Sequence, residues 1–244
     1  MSKECSKSLA RRLSNPNFMR LYFKGNGIDI GGKSDPLSLY IELFPLVKSI
    51  RTWDIEDGDA QFMSSVESET YDFVHSSHCL EHLNDPLEGI QNWLRILKPG
   101  GYLIITVPDE DLYEQGKFPS TFNKDHKWTF TVYKYSSWST KSINIIDMLK
   151  DLDDNTCIEK IELLNSMHRI LPRYDQTLTP VAECGIEVII RKRTYEEISN
   201  KGKLPKNILL NKEVRVYLNQ YRDDQNTLIQ YNKITKPFNN ESNI

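Results

Sequence analysis

Four short apolar runs, each bounded by turn residues, punctuate the first half of the chain. They lie at residues 27–30, 50–55, 71–75 and 102–107. Short continuous apolar runs of this kind are typical of strands that are buried on both faces of a parallel sheet. The pattern therefore predicts four buried strands.

A helical periodicity separates the last two predicted strands. Asp85 precedes Pro86 as an expected N-cap, and Gly100–Gly101 are expected to end the helix. The apolar positions between them recur at helical spacing: Leu87, Ile90, Trp93, Leu94 and Leu97. Strand, helix and strand with short connections imply a right-handed parallel crossover and a ligand at the carboxyl ends of the strands. The predicted fold class is α/β, a Rossmann-like open and mostly parallel sheet with helices on both faces.

The second half of the chain predicts additions to this core. Residues 143–152 are expected to be helical, and residues 157–166 and 185–193 are expected to form strands at an antiparallel end of the sheet. Residues 211–231 carry a helical apolar stripe that could dock on the core or on a second subunit as a homodimer contact. The final segment, residues 235–244, is polar and is expected to fray.

These patterns predict a domain order. An N-terminal helical segment covers 1–24, the core domain covers 25–195, and a helical extension with a tail covers 196–244. Within the core domain, residues 111–142 are rich in aromatic side chains and predict an ordered insert that caps the substrate.

Composition narrows the class of protein. The 244 residues are 39% hydrophobic and 27% charged, and no apolar run reaches the roughly 18 residues of a membrane span. The N-terminus shows no secretory signal and the four cysteines are scattered, which predicts free thiols and a cytoplasmic protein. The net charge of −3 disfavours nucleic acid as a partner.

The stretch GNGIDIGGKSDPL at 25–37 has the glycine pair of a ligand-binding turn without the full dinucleotide pattern. After Gly31–Gly32 come Lys33, Ser34 and Asp35, so G-x-G-x-x-G is not met and a nicotinamide enzyme is disfavoured. Asp54, at the end of the next predicted strand, is placed to hold ribose hydroxyls.

Several segments together resemble the class I S-adenosylmethionine-dependent methyltransferases. They are DIGG at 29–32, Asp54, GDA at 58–60, YDFVHSSHCLEHLNDPL at 71–87 and WLRILKPGGYLIITVPD at 93–109. The resemblance covers residues 25–131. Within the class, these segments look most like the branch often found among bacterial sugar, capsule and lipopolysaccharide biosynthesis genes. Two departures are the missing third glycine and a segment from Asp54 to Tyr71 that is too short for a helix and a strand.

The resemblance implies a set of cofactor-binding residues. Asp29, Gly31 and Gly32 would line the methionine and ribose part, and Asp54 would bind the ribose hydroxyls. Asp59 and Ala60 would lie beside the adenine ring, and His78 beside the transferable methyl.

Histidines are the candidates for the chemistry itself, because deprotonation of a hydroxyl acceptor needs a base poised near neutral pH. His78 and His126 are the predicted catalytic residues, with a plain loop histidine as the alternative for His126. His75, His78 and His82 form H-x-x-H-x-x-x-H, a spacing that suggests a metal. Because His75 belongs to a strand, the three need not converge, and no metal is expected.

Substrate contacts are predicted at Asp109, Lys124, Arg169 and Arg173. Asp109 ends a strand and could equally cap the following turn. The basic side chains would grip a phosphate or carboxylate, with surface exposure as the alternative.

The leading hypothesis is a methyltransferase, with O-methyl transfer favoured, that acts on a small polar and in some cases anionic metabolite. Candidate acceptors are a nucleotide-linked sugar, a sugar phosphate or a phosphorylated acid in cell-surface polysaccharide biosynthesis. A catalytically silent scaffold that binds a partner through residues 211–231 is the alternative.

Overall fold

The computed structural model describes residues 3–169, 174–175, 178–203 and 229–230. The chain divides into two units, residues 1–203 and 204–244. In the second unit only Ile229 and Gln230 are described, and both are helical. The rest of the predicted helix at 211–231, and any homodimer contact through it, lies outside the described residues.

The first unit follows the predicted alternation of strands and helices. Short 3-10 or π-helical turns lie at Phe18–Tyr22, Leu37–Leu43, Leu80–His82 and Glu110–Glu114. The regular elements in chain order are α1 (Glu4–Lys7), α2 (Leu9–Ser14), β1 (Gly25–Ile30), β2 (Val47–Trp53), β3 (Tyr71–Ser77), α3 (Pro86–Ile96), β4 (Leu97–Pro108), β5 (Thr129–Thr131), β6 (Ser142–Asn144), α4 (Ile145–Lys150), β7 (Thr156–Leu164), β8 (Gly185–Lys192) and α5 (Tyr195–Ser199).

Six strands form the main sheet in the order β2-β1-β3-β4-β8-β7. The first four are parallel, and β8 pairs antiparallel with both β4 and β7. The predicted mixed sheet is therefore confirmed, with the antiparallel strand one position inside the edge. The strand order reverses between β1 and β3, and in open α/β sheets a ligand crevice lies outside the carboxyl ends of the strands at this point.

Helix α3 begins as the sequence predicts and ends differently. The Asp85 carboxylate accepts the Glu88 N–H at 3.1 Å, and Pro86 is the first helical residue. The helix ends at Ile96, and the expected glycine stop is wrong because Gly100 and Gly101 already belong to β4. A Cβ at Gly101 would lie 2.6 Å from the Asp72 carbonyl oxygen, so this glycine permits a close approach of two backbones.

Helical segments cover both faces of the sheet. On one face, α3 and α4 pack on Ile28, Val74 and Leu103. On the other face, the N-terminal segment and the turn at Leu37–Leu43 pack on residues that alternate with these, including Phe73 and Ile104. The strands are therefore buried on both sides, as their continuous apolar pattern predicts.

A buried ionic network fastens the N-terminal segment to the sheet. The Arg12 guanidinium is fully buried; it lies 3.0 Å from His75 Nε2 and 3.4 Å from Glu187 Oε2. His75 Nδ1 in turn lies 2.6 Å from Asp29 Oδ1. Arg12, His75, Asp29 and Glu187 are called the Arg12 network below. Because its members come from α2, β3, β1 and β8, the network ties these elements together.

Two irregular regions follow the strands. Residues 54–70 contain turns and neither a helix nor a strand, in agreement with the prediction that this segment is too short for both. β5, in the aromatic insert, and β6, at its C-terminal end, form a two-stranded parallel sheet next to the buried Glu110, the residue that precedes the insert. The Glu110 carboxylate accepts hydrogen bonds from the side chains of Thr129, Lys134, Ser137 and Ser142. The insert therefore has a polar core of its own.

Within the described part of the chain, no helix has the length and apolar character of a membrane span.

Candidate active site

A cleft opens at the carboxyl ends of the first three parallel strands. The residues that directly follow β1, β2 and β3 are Gly31, Asp54 and His78, respectively. The cleft has a volume of about 690 Å³, and its walls also include Asp59, Ala60 and His82. Of the predicted cofactor-binding residues, Gly31, Asp54, Asp59, Ala60 and His78 therefore share one cavity.

The two glycines after β1 serve the packing of the turn. Gly31 has a φ of +78°, and a Cβ there would lie 2.7 Å from the Cβ of Cys79. A Cβ on Gly32 would collide with the Asp29 carboxylate. The glycine pair therefore lets the turn fit between Asp29 and Cys79 while Gly31 reaches the cleft wall.

Asp29 holds this turn from behind. Its buried carboxylate accepts the Leu37 N–H at 2.7 Å through Oδ2 and pairs with His75 through Oδ1. Since the Arg12 guanidinium can only donate, His75 Nε2 accepts and His75 Nδ1–H donates to Asp29. Burial, aided by Arg12, lowers the pKa of His75, which agrees with a neutral ring. Asp29 borders a small cavity of about 50 Å³, together with Glu4, Ser34 and His78.

Asp54 lies half-buried at the cleft. Its Oδ2 accepts the Lys33 N–H at 3.1 Å, and its Oδ1 accepts the Ile55 N–H at 2.8 Å. Each carboxylate oxygen can accept more than one hydrogen bond, so both keep acceptor capacity for a ligand.

The loop after Asp54 is braced against α3. Asp59 is exposed, and its Oδ1 accepts the Gln61 N–H at 2.7 Å. The Ala60 carbonyl accepts the indole N–H of the buried Trp93 at 2.8 Å. Trp93 belongs to the hydrophobic core, and its hydrogen bond to Ala60 also fixes one wall of the cleft.

His78 stands where β3 gives way to the cleft. It has a φ of +55°, and its N–H donates to the Thr106 carbonyl at 2.9 Å. Its Nδ1 lies 3.4 Å from Glu81 Oε1, and its Nε2 lies 3.7 Å from Glu4 Oε2. Burial acts to lower the pKa of His78, but the two carboxylates outweigh it and raise the pKa. The N-terminal segment thus contributes to the site through Glu4.

Glu81 is not among the site residues predicted from the sequence, and the structure makes it a functional candidate. Among the described residues, neither of its buried carboxylate oxygens accepts a hydrogen bond. His126 Nε2 and His82 Nε2 lie 3.7 Å and 3.9 Å from its Oε1. Burial opposes ionisation, but the imidazole of His78, followed by those of His126 and His82, lowers the pKa of Glu81. Glu81, His82 and His126 are called the Glu81 cluster below.

His126 lies behind the cleft wall instead of in the cleft. Its side chain is 1% exposed, and its Nδ1 lies 2.6 Å from Glu114 Oε1. Its ring is 5.1 Å from that of His82, which does line the cleft. The sequence signal for His82 was the E-H pair after β3. His75 belongs to the Arg12 network and does not line the cleft, so the three histidines of H-x-x-H-x-x-x-H do not converge.

The predicted substrate residues do not gather at this cleft. The Asp109 Oδ1 accepts the N–H groups of Asp111 and Leu112 at 3.0 Å each, so Asp109 caps the turn at Glu110–Glu114. Burial raises its pKa to about 6. Lys124 is exposed next to Asp125, which lines the cleft. Arg169 lines a different cavity of about 500 Å³, and Arg173 lies outside the described residues.

Comparison with known proteins gives the family. A family model described as a methyltransferase domain matches residues 2–152. No match to the sequence was found among curated proteins.

Solved structures of S-adenosylmethionine-dependent methyltransferases are similar to the chain at low identity. One from Archaeoglobus fulgidus is 17% identical, with coverage of 79% of this chain and 95% of that chain and a TM-score of 0.47. One from Aquifex aeolicus is 15% identical, with coverage of 75% and 97% and a TM-score of 0.43.

The chain belongs to the methyltransferase-domain family, because the family model spans more than half of it. It is a class I methyltransferase, and its cofactor is S-adenosylmethionine. The match to the family model begins at residue 2, within the N-terminal segment 1–24 that was predicted to lie outside the core domain.

The residues of the cleft fit this cofactor. Asp54 presents carboxylate oxygens with free acceptor capacity at the cleft, as ribose hydroxyls require. The volume of about 690 Å³ lies within the usual range of ligand pockets. S-adenosylmethionine supplies an electrophilic methyl group on a sulfonium, so the protein chiefly has to align acceptor and methyl.

Proposed function

We propose that this protein transfers a methyl group to a hydroxyl of a small polar metabolite bound beside His78 and His82. The observation that carries the proposal is that Asp54, a carboxylate suited to bind ribose hydroxyls, lines the same cleft as these two histidines. The cleft is concave and of small-molecule size, which favours a metabolite over a flat macromolecular surface.

In this proposal the chain's own residues divide the work. Asp54 binds the ribose hydroxyls, the turn at Gly31–Gly32 lines the methionine part with Asp29 behind it, and Asp59 and Ala60 border the adenine. His78 is the proposed base, because it lines the cleft together with Asp54 and an imidazole is the side chain whose ordinary pKa lies nearest to neutral pH. His126 is a positioning residue that acts on the cleft through Glu81 and His82. Lys124 and Arg169 remain proposed contacts for an anionic substrate group.

Within this function, a nucleotide-linked sugar, a sugar phosphate or a phosphorylated acid of cell-surface polysaccharide biosynthesis is the proposed acceptor. The resemblance to the sugar-modifying branch, carried by residues 71–87 and 93–109, supports this choice. A cytoplasmic location is part of the proposal, supported by the four free cysteines.

The first test is calorimetric titration of the full chain with S-adenosylhomocysteine. We expect micromolar binding that weakens by about 10-fold to 100-fold in Asp54→Ala, because hydrogen bonds to a charged group are lost. Asp54→Asn, which keeps one acceptor for the Lys33 N–H, tests whether the loss comes from the fold of the turn. Asp147→Ala, at an exposed ion pair with Lys150, is the matched control and should bind normally.

The second test is methyl transfer to a panel of nucleotide sugars, sugar phosphates and phosphorylated acids, with the product detected by mass spectrometry. His78→Gln should slow transfer on the order of 100-fold while S-adenosylhomocysteine affinity stays within a few-fold of the wild type. If the wild type does not bind S-adenosylhomocysteine, the proposal is rejected and the scaffold alternative takes its place.

A further inference from the structure

Three potential metal ligands converge in the wall of the cleft. A carboxylate oxygen of Glu81, Nε2 of His82 and Nε2 of His126 all lie within 4.8 Å of one another. Glu81 Oε1 is 3.7 Å from His126 Nε2 and 3.9 Å from His82 Nε2. Two ligands at the usual distances from a tetrahedral Zn²⁺ are roughly 3.4 Å apart, so both distances from Glu81 are within about 0.5 Å of those in a coordinated site.

Each histidine of the cluster is held by its other ring nitrogen. His126 Nδ1 donates to Glu114 Oε1 at 2.6 Å, and His82 Nδ1 donates to the Asp125 carbonyl at 3.1 Å. A carboxylate or carbonyl partner on Nδ1 leaves Nε2 as the atom with the free lone pair. This is the arrangement by which proteins orient histidines toward a metal.

In the part of the chain that the structure describes, the ion-pair partners of Glu81 are the imidazoles of His78, His82 and His126, at 3.4 to 3.9 Å, and none of them is a lysine or an arginine. Among the described residues, no protein donor forms a hydrogen bond to either oxygen of Glu81, although the carboxylate is fully buried. A buried carboxylate that accepts no hydrogen bond is costly unless a cation lies close to it. A cation between the three atoms removes this cost, and that cation is either a metal ion or a proton shared with an imidazole.

We propose that Glu81, His82 and His126 bind one divalent transition-metal ion at the edge of the cleft. Two imidazoles and one carboxylate suit Zn²⁺ and other first-row divalent ions better than Mg²⁺ or Ca²⁺, which prefer oxygen ligands. The proposal departs from the expectation of no metal, which considered His75 instead of His126. The chain separates His126 widely from His82, and only the folded insert brings them together.

The site has an open side. His82 lines the cleft together with His78 and Asp125, whereas His126 closes the site from within. A metal with three protein ligands keeps a position for an exchangeable oxygen ligand. The metal site rests on the geometry alone. Its use, to position an acceptor hydroxyl or carboxylate beside the methyl group, rests on the proposed function.

The experiment uses the full chain after removal of metals with a chelator. Zn²⁺ is titrated by calorimetry, and Co²⁺ is titrated by its visible absorption, which reports coordination geometry directly. We expect one ion per chain with micromolar or tighter affinity. Glu81→Gln and His126→Ala should each weaken binding more than about 100-fold, and Glu114→Gln should weaken it about 10-fold to 100-fold, as expected for an outer contact.

His168→Ala is the matched control, because His168 lies outside the cluster and its loss should leave Co²⁺ binding unchanged. His82→Asn provides a variant at a partly exposed position in case the buried changes prevent folding. Circular dichroism of every variant checks the fold before titration.

Two results would overturn the proposal. One is a wild type that binds neither Zn²⁺ nor Co²⁺ at micromolar concentration, which would assign a shared proton to the cluster. The other is binding that the cluster variants leave unchanged. S-adenosylhomocysteine is titrated into the same samples. A wild type that binds S-adenosylhomocysteine but no metal ion rejects the metal site alone. A wild type that binds neither S-adenosylhomocysteine nor a metal ion rejects the proposed function as well.

Discussion

The Arg12 network and the Glu81 cluster are both buried groups of ionisable side chains near β3, but their atoms are satisfied to different degrees. In the Arg12 network, His75 and Asp29 are hydrogen-bonded through both polar atoms of each side chain. In the Glu81 cluster, the carboxylate lies 3.7 and 3.9 Å from the imidazoles of His126 and His82 and 3.4 Å from that of the neighbouring His78, and it accepts no hydrogen bond from the described residues. Arg12 Nε is the exception in the network, because it has no hydrogen-bond partner among the described residues. The comparison teaches that a largely closed hydrogen-bond network marks a structural role, whereas a carboxylate with both oxygens open next to a cleft marks a site.

The largest effect is expected in the Arg12 network. Glu187 Oε1 accepts hydrogen bonds from Arg11 at 2.7 Å and Lys160 at 3.1 Å, and its Oε2 lies near Arg12. Glu187→Gln should lower the free energy of unfolding by about 3 kcal/mol, because Arg12 stays buried without its counter-charge. Urea denaturation followed by tryptophan fluorescence measures this.

Glu159→Gln removes a partly exposed partner of Arg191 and is the control, with an expected loss below about 1 kcal/mol. A Glu187→Gln variant as stable as this control would contradict the structural role of the network.

The Glu187 carboxylate also predicts how the stability of the protein depends on pH. Burial acts to raise the pKa of Glu187, but Arg12 and Arg11 outweigh it and lower the pKa from 4.5 to about 2. A lowered carboxyl pKa stabilises the folded state above the unfolded pKa, and this contribution is lost as the pH falls toward the folded pKa. The stability difference between wild type and Glu187→Gln should therefore be constant above about pH 5 and shrink below it. A difference that is the same at about pH 3 would rule this out.

In the Glu81 cluster the same type of change should affect activity more than stability. Glu81→Gln removes a fully buried charge that accepts no hydrogen bond from the described residues. The lost attraction to the imidazoles is offset by the lost cost of burying that charge, so the expected loss in the free energy of unfolding is about 1 kcal/mol. Methyl transfer should fall by about 100-fold. Parallel denaturation and rate measurements decide the matter. If stability falls as far as in Glu187→Gln while the rate holds, the two clusters have the same structural role.

Asp29→Asn tests a residue that connects the Arg12 network to the cleft. An amide oxygen can accept from His75 or from the Leu37 N–H, but the amide N–H₂ then faces the other donor. We expect a loss of about 2 kcal/mol in stability. A few-fold loss of S-adenosylhomocysteine affinity should accompany it, since the turn at Gly31–Gly32 packs on this carboxylate. Calorimetry and denaturation of this variant and of Asp147→Asn, an exposed control, measure both effects.

The smallest effect is expected at Asp109. Asp109→Asn keeps an oxygen for the N–H groups of Asp111 and Leu112, so stability should change by less than about 0.5 kcal/mol. If Asp109 only caps this turn, the methyl-transfer rate should also be unchanged. A tenfold or greater fall in that rate would instead favour the substrate-binding role.

The sequence by itself determined the parts of this protein that depend on local pattern. Continuous apolar runs predicted β1 to β4, the Asp85–Pro86 pair predicted the start of α3, and strand ends predicted where Asp54 and His78 lie. Such patterns are readable because burial on two faces and helix capping act over a few neighbouring residues.

Only the tertiary structure decided which polar residues meet. Arg12 is fully buried although its surroundings in the sequence are charged, because β1, β3 and β8 each supply a partner. Glu81 and His126 come together because the insert folds back against the turn after β3, with the Lys127 N–H donating to the Glu81 carbonyl at 2.9 Å. Contacts of this kind depend on strand order and on the path of the insert, neither of which local periodicity encodes.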